Sequence, residues 1–204
     1  PCGTTGESPT LSHAEDKRVT EITVAVAGGR VPVVAGTGSN STEEAIELTR
    51  AAKANGADAA MLVCPYYNKP TQEMMVRHFE AVAAAVDIPI LIYNVPGRTA
   101  VDMTPETMGR LAKVDNIIGV KDASNDVVRP YRTREQCGAD FVNLSGEDGT
   151  QLAFRVADGH GVISVTANVA PALVSQLHEA CHKDDYAAAK RIQERLMPLH
   201  DALF

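Results

Sequence analysis

A short β-branched apolar run, a loop rich in Gly, Pro and Asn, then an amphipathic helical stretch recurs along this chain. That alternation limits the fold more than any other feature. The apolar runs fall at 31–35, 59–63, 88–93, 117–121, 141–144 and 161–165. Each is too short for a helix and mostly apolar on both faces, the pattern of a strand buried between two layers. Helix starts stand between them. Ser12 with Glu15 and Ser41 with Glu44 fit the capping box, Thr71 can cap the next helix, and Thr104 precedes a proline at the first helical position. Gly28-Gly29 and Asn55-Gly56 mark helix ends, where a glycine or a left-handed asparagine belongs. Six strands alternating with helices predict one parallel α/β domain over 1–204, with no linker to divide it. The pattern alone leaves both a doubly wound sheet and a barrel open. Either one places chemistry at the C-terminal ends of the strands.

Composition removes several function classes. With 19 Lys+Arg against 26 Asp+Glu, the formal net charge of -7 argues against general affinity for nucleic acid or for an anionic membrane surface. No apolar run approaches the ~20 residues that a bilayer span needs. Cys2, Cys64, Cys137 and Cys181 are scattered without a CxxC pair. They read as small buried hydrophobes rather than a disulfide framework, and a cytoplasmic setting is expected.

At the strand ends, Lys121 closes the run Ile117-Ile118-Gly119-Val120-Lys121. Simple alternation puts it on one face with Ile117 and Gly119, the latter leaving room beside it. An amine held in an apolar mouth loses solvation of its charged form and becomes nucleophilic. Tyr93 ends the preceding run, placed to move protons, and Arg98 five residues on offers a planar fork for a carboxylate. The turn Gly3-Thr4-Thr5-Gly6-Glu7-Ser8 can present backbone N–H groups to a small carboxylate. Tyr66 and Tyr67, between Pro65 and Pro70, are amphipathic anchors suited to an interface or a substrate mouth. Gly36-Thr37-Gly38 does not make a dinucleotide fingerprint, because Ser41 stands where the third glycine belongs. His178-Glu179-Ala180-Cys181-His182 matches a zinc-peptidase pattern in its letters. Its helix should bury Leu173, Leu177, Ala180 and Cys181 and leave both histidines on the flank, with no third ligand in view, so no metal is expected.

Taken together and in this order, GTTGES from Gly3, AGTGSN from Ala35, PYYNKP from Pro65, YNVPGRT from Tyr93, IIGVKDAS from Ile117, LSGED from Leu144 and GHGVISVTANVAP from Gly159 resemble the dihydrodipicolinate synthase family of class I pyruvate-dependent Schiff-base lyases. The likeness runs from Gly3 to Phe204. It implies a (β/α)8 TIM barrel, a homotetramer built as a dimer of dimers, no cofactor, and condensation of pyruvate with L-aspartate-4-semialdehyde in lysine and diaminopimelate biosynthesis. Lys121 matches the imine-forming lysine. Tyr93, Thr4 and Tyr67 match a proton relay, with Tyr67 reaching into a neighbouring subunit. Thr4 and Thr5 match the residues that hold pyruvate's carboxylate, Arg98 the one that takes the semialdehyde's, and Gly146 and Ile163 backbone positions lining the pocket. The related sialic acid lyases share the lysine and tyrosine, but the Thr4-Thr5 pair and NVPGRT favour the synthase. Many members are inhibited by lysine, and Ser8, Pro9, His13, Ser39, Asn40, Glu44 and Tyr66 fall at or near the positions that bind it. His13 and Glu44 suit the amino acid's charges, whereas Asp16 stands where some inhibited members carry histidine. A barrel of this type runs to ~250 residues. Against the family pattern, the first strand-helix unit, most of the second strand and the C-terminal helices are absent, so the 204 residues alone are expected to fold poorly and to be inactive.

Overall fold

The computed structural model describes residues 1–203; Phe204, the last residue of the expected domain, lies outside the described residues. Two 3-10 turns, Thr4–Gly6 and Ser8–Thr10, lead into α1 (His13–Ala27). Then follow β1 (Val34–Gly36), α2 (Thr42–Ala54), β2 (Ala59–Val63), α3 (Gln72–Ala85), β3 (Ile90–Asn94), the short α4 (Pro96–Thr99), α5 (Pro105–Leu111) and β4 (Ile117–Asp122). After α6 (Arg129–Cys137), β5 (Val142–Ser145), α7 (Gln151–Val156) and β6 (Gly161–Val162), a third 3-10 turn (Thr166–Asn168) precedes the paired helices α8 (Pro171–His182) and α9 (Tyr186–Leu203).

All neighbouring strands are parallel and their spatial order is their chain order, β1 to β6. A doubly wound sheet reverses its order at a switch point; this sheet never does, so the strands are six in succession of a barrel. One face packs on the helices: Leu62, Ile90, Ile92 and Val120 meet Phe79 of α3 and Met108 and Leu111 of α5. The other face carries Met61, Leu91 and Tyr93, with Val142, Leu144 and Ile163 packed against them. A separate cluster joins α8 to α9 through Val174, Leu177, Cys181, Ala189 and Leu196.

The helix signals act much as their chemistry requires. Ser12 and Glu15 form a complete capping box. Thr71 accepts from the Met74 amide and Thr104 from that of Thr107. The second expected box is only half formed. Ser41 accepts from the Glu44 amide at 3.4 Å, but the Glu44 carboxylate turns away to Ser39 and His13, and the Ser39 hydroxyl takes the Ser41 N–H instead. At the end of α2, Asn55 stays right-handed and Gly56 carries the positive φ of 84°.

Two strands, β1 and β6, fall well short of their apolar runs. At the first, Pro32 has no N–H to pair and Asp58 captures the Val33 amide at 2.7 Å, so β1 starts only at Val34. At the last, the Ile163 amide still reaches Ser145 O at 2.9 Å, but Asp148 then draws Ser164, Val165 and Thr166 out of the sheet. β4 departs in another way. Ile90 pairs with Ile117 but Leu91 pairs with Gly119, so Ile118 is an extra residue, a bulge left 37% exposed. Alternation breaks there. Ile117 joins the helix-facing core with Val120, and Lys121 shares its face with Gly119 but not with Ile117.

Phe79 is fully buried at the centre of the helix-facing layer. Phe79→Ala should lower unfolding stability by about 3–5 kcal/mol in urea titration, and a loss below about 1 kcal/mol would show that this layer is not the main core.

Candidate active site

The site forms where β3 and β4 end. Tyr93 and Lys121 are register partners on the inner face, so their side chains rise side by side. Lys121 Nζ lies 4.0 Å from the centroid of the Tyr93 ring. The lysine is 7% exposed. Burial lowers its pKa from 10.5 to about 8; Asp148 and Glu147 pull the other way, and Arg98 adds to the fall. At that value about one lysine in ten is neutral at pH 7, against about three in ten thousand for an ordinary lysine. Burial also raises the Tyr93 pKa and keeps the phenol protonated, although the nearby Thr4 side chain and Arg98 moderate the shift. A neutral amine and a protonated phenol in contact make a nucleophile with a proton donor beside it.

Room for the lysine comes from a different glycine than alternation indicates. A Cβ on Gly119 would strike the Val142 carbonyl oxygen and Leu91, so that space is already filled by neighbouring strands. A Cβ on Gly146, just past β5, would sit 2.9 Å from Lys121 Cε and 2.8 Å from Ala123 Cβ. Gly146 is therefore what lets the aliphatic stem pass. Its N–H donates to Asp122 O at 2.7 Å, which extends the β4–β5 ladder and brings its backbone against the lysine. Ile163 packs into the same inner cluster as Tyr93.

A cavity of about 610 Å³ opens beside the tyrosine. Thr4, Tyr93 and Arg98 line it, while Lys121 sits behind the ring. Thr4 and Thr5 begin a 3-10 turn whose internal bonds run from Gly6 N and Glu7 N, so their own N–H groups have no partner within the turn. Thr4 is half-buried, and Thr5 is exposed and does not line the cavity. Arg98, on α4, is exposed and makes no ion pair among the described residues. Tyr67 is 89% exposed with a positive φ of 72°, and it lines the same cavity as Tyr93.

Of the expected lysine-binding residues, Ser8, Pro9, His13, Glu44 and Tyr66 line the same cavity. His13 Nε2 is 2.9 Å from Glu44 Oε1, so the two groups expected to meet a ligand's charges meet each other here. Ser39 is buried behind Glu44 and donates to it, and Asn40 donates to the Tyr66 carbonyl at 3.2 Å. The zinc-like histidines are otherwise engaged: His178 Nε2 lies 3.0 Å from Gln151 Oε1 and His182 Nδ1 3.5 Å from Arg155. No group of three or more His, Cys, Asp or Glu among the described residues is placed to hold a metal ion.

Two features escaped the sequence reading. Asp148 is 1% exposed and accepts from Ser164 Oγ, Val165 N at 2.9 Å and Thr166 N at 3.1 Å, pinning the loop after β6 beside the site. A polar cluster of Asn94, Asp102, Asp122 and Arg129 lies on the opposite face of the β3 and β4 ends. The only sequence signal for either was polarity in the motifs at the strand ends.

The model of the dihydrodipicolinate synthetase family matches residues 1–204. The chain belongs to that family. It is 60% identical over all of its length to a protein of Rhodospirillum centenum named 4-hydroxy-tetrahydrodipicolinate synthase, and covers 70% of that protein. Among solved structures, the chloride-inhibited dihydrodipicolinate synthase of Acinetobacter baumannii complexed with pyruvate superposes with a TM-score of 0.96 at 47% identity, covering all of this chain and 70% of the other. The enzyme of Cyanidioschyzon merolae with lysine bound gives 0.95 at 40% identity, with the same coverage. At these identities the barrel succession of β1 to β6 is the family's own fold.

Filling the space at Gly146 tests the geometry directly. Gly146→Ala should displace Lys121 from the Tyr93 ring and slow its modification by a small amine-directed aldehyde about tenfold or more. Unchanged labelling of Lys121, mapped by peptide mass, would show that the lysine does not depend on that gap.

Proposed function

We propose that this chain condenses pyruvate with L-aspartate-4-semialdehyde, through an imine on Lys121, to give 4-hydroxy-tetrahydrodipicolinate on the diaminopimelate route to lysine. The observation that carries the reading is the buried Lys121 amine, its pKa lowered to about 8 by burial and its Nζ set over the ring of a protonated Tyr93. Membership of the family and the pyruvate complex of the Acinetobacter baumannii relative support the choice of keto acid.

The neutral Lys121 amine attacks the keto carbon of pyruvate, and loss of water gives the imine. Removal of a proton from the methyl group converts it to the enamine, whose carbon attacks the aldehyde of the second substrate. The new alkoxide takes up a proton, and the semialdehyde's own amino group then displaces Lys121 from the former keto carbon, closing the ring. Each step moves a proton at the site, and Tyr93 is the group in contact with the amine. Thr4, beside the phenol, is the next link, and the exposed Tyr67 completes the relay from a neighbouring subunit of a homotetramer. Thr4 and Thr5 receive pyruvate's carboxylate with hydroxyls and with amides that the turn itself leaves without a partner. Arg98, with no ion pair among the described residues, takes the semialdehyde's carboxylate. Gly146 and Ile163 supply the backbone wall, and the chemistry needs neither metal nor cofactor.

Lysine regulation belongs to the same reading. The ligand would lie among Ser8, Pro9, His13, Ser39, Asn40, Glu44 and Tyr66, its ammonium on Glu44 and its stem over Tyr66. The lysine-bound Cyanidioschyzon merolae relative supports this. Binding has to open the His13–Glu44 contact, which sets a cost against it. The chain has no helix among the described residues long and apolar enough to cross a membrane, and a cytoplasmic setting fits the substrates.

Borohydride reduction in the presence of pyruvate should place one pyruvyl adduct on Lys121, found by peptide mass mapping. No adduct on Lys121, or one spread over surface lysines, would overturn the reading. Arg98→Ala should raise KM for the semialdehyde by about tenfold to a hundredfold while leaving pyruvate trapping intact, and equal losses for both substrates would remove the assigned role.

A further inference from the structure

The active-site pair is built on a second set of groups that the chemistry does not touch. Asn94 and Asp122 follow Tyr93 and Lys121 directly and are themselves register partners, so they stand together on the opposite face of the sheet. Asn94 Nδ2 donates to Asp122 Oδ2 at 3.0 Å and to Asp102 Oδ1 at 2.8 Å, while its Oδ1 accepts from the Met103 amide at 3.0 Å. Arg129, from the first turn of α6, reaches back to close the circuit. It donates to both oxygens of Asp102, by Nη1 at 3.3 Å and by Nη2, and Nη2 also donates to Met103 O at 2.8 Å. Its Nε lies 3.6 Å from Asp122 Oδ2. The other Asp122 oxygen accepts from the Ser124 amide at 3.0 Å and from the Ser124 hydroxyl, fixing the turn by which the chain leaves β4.

Two carboxylates therefore share one guanidinium, with the side chains of Asp122 and Arg129 1% and 8% exposed. Such a set is costly to bury and costly to leave half made, so it holds one geometry. The segments it ties are the ends of β3 and β4 and the stretch from Asn94 to Met103, which contains α4 and Arg98. Those three segments carry Tyr93, Lys121 and Arg98. We propose that Asn94, Asp102, Asp122 and Arg129 form a positioning cage that sets the placement of Lys121, Tyr93 and Arg98 relative to one another. This inference rests on the imine reading above. The cage acts through backbone placement: the charges acting on Lys121 are those of Asp148, Arg98 and Glu147, none of them a cage member.

The test uses the intact protein and two variants, Arg129→Lys and Asp122→Asn. The first keeps the charge and loses the fork. The second keeps the volume but turns an amide donor toward Asn94 Nδ2 or the Ser124 N–H. Imine formation at saturating pyruvate is timed by borohydride quench and divided by the number of Lys121 residues trapped at completion, so unfolded protein is not counted; melting is followed in parallel. The rate per trapped lysine should fall about tenfold to a hundredfold in both variants, with its pH midpoint unmoved. Rates per site within about twofold of the parent, with lowered melting alone, would make the cage a stability element and overturn the proposal. If Arg129→Lys does not accumulate as folded protein, the near-isosteric Asp122→Asn decides. A parent protein that traps no pyruvate on Lys121 would overturn the imine reading and this inference with it, and is told apart by needing no variant.

Discussion

Desolvation of one lysine is the constraint on which the rest of the structure turns. An ammonium taken from water into the inner face of a sheet is penalised, and the penalty makes its proton easier to release. The folded pKa of Lys121, about 8, lies below the ordinary 10.5. Folding is thus disfavoured by this group at pH values below about 8, and the penalty fades as pH rises from there to about 10.5, where both states are neutral. The molecule accepts that loss of stability to hold a free amine near neutral pH. Everything around the lysine limits the penalty without abolishing the neutral form. Tyr93 offers a ring face, Asp148 and Glu147 exert a distant pull, and Gly146 leaves a slot for the stem.

The barrel succession makes this arrangement possible. Consecutive parallel strands bring neighbouring C-terminal ends into one rim, so residues 28 positions apart in the chain, Tyr93 and Lys121, become register partners. The two faces then divide the work. On the inner face Tyr93 meets the cavity, and the outer side chains at the same level, Asn94 and Asp122, lock strand to strand and strand to loop. Asp148 repeats the device one strand further on, holding the loop after β6 through three donors. A rim built this way keeps Tyr93 and Lys121, the last inner residues of β3 and β4, on stiff supports.

Much of this was legible in the sequence. The alternation of apolar runs and capped helices specified parallel α/β architecture, and motif order specified the family; Lys121, Tyr93, Thr4 and Arg98 meet at one cavity edge or directly behind it. What escaped was two-body information. The bulge at Ile118 depends on how β4 pairs with β3, and no count along one strand reveals it. Crediting Gly119 with the room around the lysine failed for the same reason, since Val142 and Leu91 come from other strands. Glu44 looked like half of a capping box because its spacing from Ser41 is right, yet Ser39 and His13 compete for the carboxylate through the fold. The cage around Arg129 was invisible because its members are separated by loops of no fixed length.

The measurement that tests the account most directly is the titration of Lys121 itself, by NMR of protein labelled with 13C at lysine Cε, assigned through Lys121→Arg. The account predicts one lysine signal with a midpoint near pH 8, well separated from the rest. A Lys121 signal that titrates with the surface lysines, above pH 10, would mean that burial does not supply the neutral amine, and the explanation of the site would fail.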